Sequence, residues 1–277
     1  MATALAYLFS DEGFVIAADG QNTCVSAQGF EVLCDDKQKI FPIHDTDREA
    51  AFSLKGRTGL YDRTESHLAF KFTDIFVEAV EEIRSEALSS GDFLSRVCTM
   101  VKDRLDSARR SVGIAKYGSR GRTRVSGREH TIVSVRLDGY FSGRPVRAGA
   151  EFYHIDQEVH WDLNSAHTLL CPKTHWTILD ASLEIARLLF ETDDTRLTEY
   201  RTDACRRVAI ALKDPNIVVP LQDGVEAARN YIGACEDQIL REIDIEVCQG
   251  IGGPIHVAKI TPKGGFEWVV PPKPNST

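Results

Sequence analysis

The sequence predicts an α+β fold, with sheets packed face to face and helices outside them. Two observations carry that prediction. The elements come in segregated runs: strands, two helices, strands, helices, strands. The helical patterns do not alternate with single strands, which argues against a doubly wound parallel sheet. All 277 residues are read as one domain over 1–270 with a flexible tail at 271–277.

The opening is β-rich. Residues 3–9 (TALAYLF) and 13–18 (GFVIAA) are short apolar runs parted by Ser10, Asp11 and Glu12, the pattern of a strand hairpin. Residues 39–43 (KIFPI) and 50–54 (AAFSL) are further strand candidates. Between 58 and 89, Leu60, Phe70, Phe72, Phe76, Val77, Val80 and Ile83 recur at about helical spacing among charges. A second amphipathic helix is expected over 92–111, with Phe93, Leu94, Val97, Val101 and Leu105 on one face. The Ser-Ser-Gly at 89–91 breaks the two apart.

Residues 109–128 (RRSVGIAKYGSRGRTRVSGR) are glycine-rich, carry seven basic residues and read as an exposed, solvated insertion. Strands resume at 131–137, 146–156 and 158–163, and helical patterns return at 177–190, 196–212 and 221–238. The stretch near 196–212 is read as a second insertion. A closing hairpin joins IHVAKIT to FEWVV through Pro262, Lys263, Gly264 and Gly265, and the tail PPKPNST is too proline-rich and polar to fold.

Composition narrows the function classes. A hydrophobic content of 43% supports a core without metal or disulfide staples. A net charge of -8 gives no reason to expect nucleic acid as a partner. Seven scattered cysteines with no C-x-x-C pair read as reduced thiols and a cytoplasmic protein. The start MATALAYLFSDEG lacks a basic stretch and no leader is expected. No apolar run reaches the ~18 residues of a membrane helix, so no membrane partner is expected. Neither cofactor nor metal is expected: His154, Glu158 and His160 would lie about 20 Å apart end to end on one strand. Gly250–Gly253 lacks the Lys-Ser/Thr of a phosphate loop, and no Gly-x-Ser-x-Gly elbow is present.

The chemistry-bearing stretch is ATALAYLFSDEGFVIAADGQNT, then DDKQKIFPI, then SLKGRTGL. It resembles the start of a proteasome β-subunit, or of the bacterial ring peptidase that works with an unfoldase. By that resemblance the chain is a divergent member of the proteasome-type N-terminal-nucleophile hydrolases. The matching residues are Thr3, Asp19, Lys39 and Gly56. The resemblance makes Thr3 the nucleophile and, through its α-amine, the base. It makes Lys39 the cation tuning that amine, Asp19 the partner of Lys39, and Gly56 the oxyanion donor. The residue types suit those roles. A threonine hydroxyl needs a base, an α-amine has a pKa of ~8, and a nearby ammonium lowers it. A backbone N–H at a glycine turn can hold an oxyanion.

The resemblance implies a four-layer αββα sandwich, two antiparallel sheets flanked by helices. It implies a threonine peptidase or amidase, active once Met1 and Ala2 are removed. It further implies self-association into a ring-like homo-oligomer, a peptide or protein substrate, and an unfoldase partner. An alternative register pairs LAYLF with the family's first strand and puts Ala2 at the nucleophile position. At the far end Gly252-Gly253 and the following strand match, but Cys248 stands where the family has Asp and Ile251 where it has Ser. Those departures keep open a non-catalytic structural or binding subunit. A small-molecule amidase is a third reading.

Overall fold

The computed structural model describes residues 4–26, 29–34, 36–56, 59–61, 68–112, 131–155, 158–168, 175–179, 181–214 and 216–273. Two short apolar runs open it as strands β1 (Leu5–Ser10) and β2 (Gly13–Asp19). Every residue of both is buried. That explains why they read as continuous apolar runs rather than alternating ones. Their hairpin closes at Ser10 opposite Gly13. Gly13 has φ +146, and a Cβ there would overlap the Ile260 carbonyl oxygen, so only glycine fits this turn.

The described residues form fourteen strands in all. They continue as β3 (Asn22–Ser26), β4 (Gly29–Cys34), β5 (Ile40–His44), β6 (Arg48–Gly56), β7 (Gly59–Tyr61) and β8 (Leu68–Lys71). After helices α1 (Phe72–Glu82) and α2 (Ser90–Val112) come β9 (Thr131–Phe141), β10 (Arg144–Ile155), β11 (Glu158–Thr168) and β12 (His175–Leu179). Helices α3 (Leu183–Glu191), α4 (Asp203–Lys213), α5 (Leu221–Glu236) and α6 (Ile245–Cys248) precede β13 (Ile255–Thr261) and β14 (Gly265–Val270). The fold is therefore α+β. One five-stranded sheet has the order β12-β1-β2-β13-β14 and another β11-β10-β9-β6-β5, while β3-β4 and β7-β8 are separate hairpins.

The chain forms two compact units, one of Met1–His44, Glu49–Ala51 and Leu170–Thr277, the other of Asp45–Arg48 and Phe52–Leu169. In the first unit α5 lies across β1, β2 and β13. Gly224 sits against the Leu8 side chain, which leaves no room for a larger residue. Tyr231 is fully buried and donates its hydroxyl to the Ser182 carbonyl at 3.2 Å. Proline at 220 offers α5 no side-chain cap, and the Glu12 carboxylate in the β1–β2 turn accepts from the Leu221 N–H at 2.7 Å instead. In the second unit α2 packs on β10 and β11. Phe76 stacks edge-on against Phe152, and the Arg48 guanidinium lies 4.6 Å from the Phe93 ring centroid.

Several sequence expectations need correction. The helix expected from about 58 begins only at Phe72, because 59–61 and 68–71 pair as strands. The helical pattern at 177–190 is two elements: β-branched Thr177 and Ile178 pair with β1, and Ser182 caps α3 by accepting from the Ile185 N–H at 3.1 Å. Likewise 196–212 is a 3₁₀ turn followed by α4 from Asp203. The β3–β4 hairpin is not among the expected elements. Residues 109–112 of the expected basic loop belong to the last turn of α2, and 113–128 lie outside the described residues. At the expected tail the Lys273 N–H donates to Asp36 Oδ2 at 3.0 Å, and 274–277 lie outside the described residues. His154 and His160 do not share one strand: they belong to antiparallel β10 and β11, with His154 opposite Val159 and Tyr153 opposite His160. Among the described residues no helix is long and apolar enough to cross a membrane.

Candidate functional site

Asp19 ends β2, the central strand of the first sheet. Its register places it opposite Ile255 at the start of β13, and its N–H donates to the Ala4 carbonyl at 3.1 Å. The Ala4 N–H returns the bond to Asp19 Oδ1 at 2.7 Å. Asp19 thus closes the β1–β2 ladder with a carboxylate. Lys39 Nζ, just ahead of β5, donates to the same Oδ1 at 2.7 Å. The side chains are 0% and 3% exposed. A longer contact of 3.5 Å runs from the Gly252 N–H to Asp19 Oδ2.

The backbone around the pair is pinned. Gln21 N–H donates to the Gly252 carbonyl at 2.7 Å and Lys37 N–H to the Gly20 carbonyl at 2.5 Å. A Cβ on Gly252 would meet Gln21 Oε1, the end of a flexible side chain. Burial pushes the Asp19 carboxyl up from its ordinary range, against the pull of Lys39 and its backbone donors. Burial also pulls Lys39 down, against the attraction of Asp19. Burial thus opposes the charged form of both groups, while their mutual contact favours it.

Glu236, the last residue of α5, belongs to the same cluster. Burial and then the Asp19 charge push its carboxyl up to about 8, with Lys39 opposing. Its Oε1 is shielded from solvent without a hydrogen-bond partner among the described residues. Next to it Asp237 accepts from the Tyr200 hydroxyl at 3.0 Å. His256, buried on β13, pairs through Nε2 with Asp36 Oδ1 at 2.6 Å. Burial holds His256 below its ordinary range although Asp36 opposes this.

Of the sequence-derived set, Asp19 and Lys39 are brought into direct contact. Thr3 lies outside the described residues. Gly56 ends β6 in the second unit at φ +111, a conformation that favours glycine. Cys248 is buried beside Cys235, and a hydrogen bond between them raises the Cys235 thiol, after burial, and lowers Cys248. Ile251 is part of the apolar core under the helices. Sequence reasoning missed Glu236, although it follows Ile232 by four residues and so continues the buried stripe of α5. A carboxylate on an apolar helix face was the available signal. Among the described residues no group of three or more His, Cys, Asp or Glu could hold a metal ion.

No family model matches this chain, and no curated protein matches it. Among solved structures it is similar to the Anbu complex from Pseudomonas aeruginosa, described as a helical assembly. That likeness has 13% identity, covers 99% of this chain and 88% of that chain, and has a TM-score of 0.47. A likeness of that size assigns no family. The membership of the proteasome-type hydrolases expected from the first sixty residues is therefore withdrawn: those short motifs are matched by no family model.

Proposed function

We propose that this chain is an amide-bond hydrolase whose nucleophile is the Thr3 hydroxyl, exposed when Met1 and Ala2 are removed. One observation carries the reading. Ala4, the residue bonded to Thr3, and Lys39 donate to a single buried oxygen, Asp19 Oδ1, each at 2.7 Å. A buried ammonium anchored at the first described residue of the chain suits the tuning of an α-amine.

In this reading the Thr3 amine takes the hydroxyl proton as the oxygen attacks the amide carbonyl. The same amine returns the proton to the departing amine, leaving an ester on Thr3. Water then attacks the ester, releasing the acid and restoring the hydroxyl. Lys39 lowers the amine pKa and Asp19 holds Lys39. The substrate is a peptide or protein amide. Self-association accompanies the reading, supported by apolar side chains left exposed on the first unit: Leu183 is 72% exposed, Ile239 76% and Ile210 52%.

Intact-mass measurement after expression tests the first step: loss of Met1 and Ala2 together is expected, and a stable start at Ala2 would sink the reading. An electrophilic peptide should then add one equivalent to the wild type and none to Thr3→Ala. A second reading, a non-catalytic binding or structural subunit, is favoured by the apolar Ile251 and the thiol-paired Cys248 beside the Asp19 cluster. Unreacted electrophile on a correctly trimmed chain would select it.

A further inference from the structure

The last turn of α5 crosses the end of the sheet where Asp19 sits. Gly233, one turn before Glu236, faces Ile255: a Cβ there would lie 3.8 Å from Ile255 Cδ1 and 3.2 Å from the Tyr200 ring. Ile255 is the register partner of Asp19. From the same turn Glu236 acts on Asp19 and Lys39, and the helix has no basic residue in its last turn. The carbonyl end of a helix disfavours a carboxylate within that turn. An Oε1 out of water with no donor among the described residues adds a second penalty to ionisation.

The titratable groups around it come from several elements. Asp19 is on β2, Lys39 precedes β5, and both act on Glu236. Tyr200 feels the charge of Glu236 and bonds to the neighbouring Asp237. Cys235, the residue before Glu236, is hydrogen-bonded to Cys248. His256 on β13, paired with Asp36, also acts on Lys39 and Asp19, and Arg241 acts on Asp237; Lys39 is the cation in direct contact with Asp19.

We infer that Glu236, at the carbonyl end of α5 with its Oε1 out of water, is a positioning residue of the site that sets how much of the Lys39 charge is left to act beyond Asp19. The inference rests on the reading of Lys39 as the group that tunes the Thr3 amine. While Glu236 keeps its proton, the cluster carries one negative and one positive charge, and Lys39 can lower the amine pKa. Once the proton leaves to solvent, the extra negative charge raises the pKa of Lys39 and of any amine nearby. The amine then holds its proton to higher pH, so less of it is free to take the hydroxyl proton.

The full-length protein tests this in two arms. Infrared difference spectra between wild type and Glu236→Gln should show one protonated-carboxyl band at pH 7, fading as the pH passes about 8. A carboxylate band at pH 7 would overturn the inference. Nitrogen-labelled lysine NMR should show Lys39 titrating at lower pH in Glu236→Gln than in wild type; identical titrations would overturn it as well. The hydrolytic reading is judged separately, by cleavage of a chromogenic peptide amide. Wild type should lose kcat/KM on the alkaline side near pH 8, and Glu236→Gln should lack that limb. No cleavage at any pH, with both titrations as expected, sinks the Thr3 chemistry and leaves the carboxyl–ammonium coupling standing. Cleavage with an unchanged alkaline limb in Glu236→Gln overturns the positioning role.

Discussion

Two buried ion pairs, one in each unit, show what a charge inside this protein can be for. Asp138 and Arg147 stand directly opposite each other on β9 and β10, joined at 2.5 Å. Asp19 and Lys39 are joined at 2.7 Å but lie at the end of a ladder, not within one. Arginine offers a fixed planar fork, and the first pair, joining residues directly opposite each other, reads as a register device between strands. Lysine shifts readily when buried, and the second pair is drawn toward neutrality from both sides. The second pair is also crowded by backbone N–H groups and a third carboxyl. Burial alone therefore does not mark a site; a cation able to release its proton, beside an unpartnered acid, does.

The largest effect comes from breaking either pair. Asp19→Ala should lower stability by about 3–5 kcal/mol in urea titration, because it removes the acceptor of the buried Lys39, and Asp138→Ala should also destabilise, because the β9–β10 pair is broken. Apolar double replacements separate the two. Asp138→Leu with Arg147→Met should recover stability fully. Asp19→Leu with Lys39→Met should stay about 1–3 kcal/mol short, since the Ala4 N–H loses its acceptor. Only the second double variant should lose electrophile capture at Thr3. Equal recovery and equal capture in both would dissolve the comparison.

That contrast was partly legible in the sequence. The hairpins of β1–β2 and β13–β14 show as apolar runs around short turns, and α5 shows as a clear stripe. Asp19 and Lys39 were singled out by the resemblance of the opening motifs, since taken singly each reads as an ordinary turn or strand-edge residue. The β3–β4 hairpin and β12 could not. Polar Asn22, Thr23 and Ser26 do not form an apolar run, and β12 merges into the helical period of 183–190. Glu236 was hidden for a different reason. Cys248 and Ile251 are the neighbours of Gly252 along the chain, whereas the carboxyl arrives from a helix ending sixteen residues before Gly252. Spatial neighbours from another element leave no trace in local spacing.

The next effect is the pH dependence that Glu236 brings. Its carboxyl sits near 8 when folded, against an ordinary value of 4.5. Between those values the folded protein holds a proton that the unfolded chain has released. The contribution to stability therefore falls as pH rises from about 4.5 to about 8, then levels off. Glu236→Gln removes this slope. Relative to wild type it should gain roughly 2 kcal/mol by pH 8, less than the full gap between the folded and unfolded values would give, because solvent reaches part of the side chain. Urea midpoints measured across that range check it, and parallel curves for the two proteins would remove Glu236 from the comparison.

The smallest effect lies at the other end of the same helix. Glu12 reaches α5 from a turn 209 residues away and accepts the Leu221 N–H at 2.7 Å. Here the helix presents its N–H groups, so a carboxylate is favoured where at Glu236 it is opposed. Glu12→Ala should lower stability by about 1 kcal/mol, and Glu12→Gln by less, since the amide oxygen can still accept the bond while the charge is gone. Thermal unfolding of the two variants at neutral pH measures the difference. A Glu12→Gln loss as large as that of Glu12→Ala would mean that charge, not the hydrogen bond, supplies the stabilisation. In that case the helix field also dominates at Glu236, and Gln there should stabilise more than its lost proton alone accounts for.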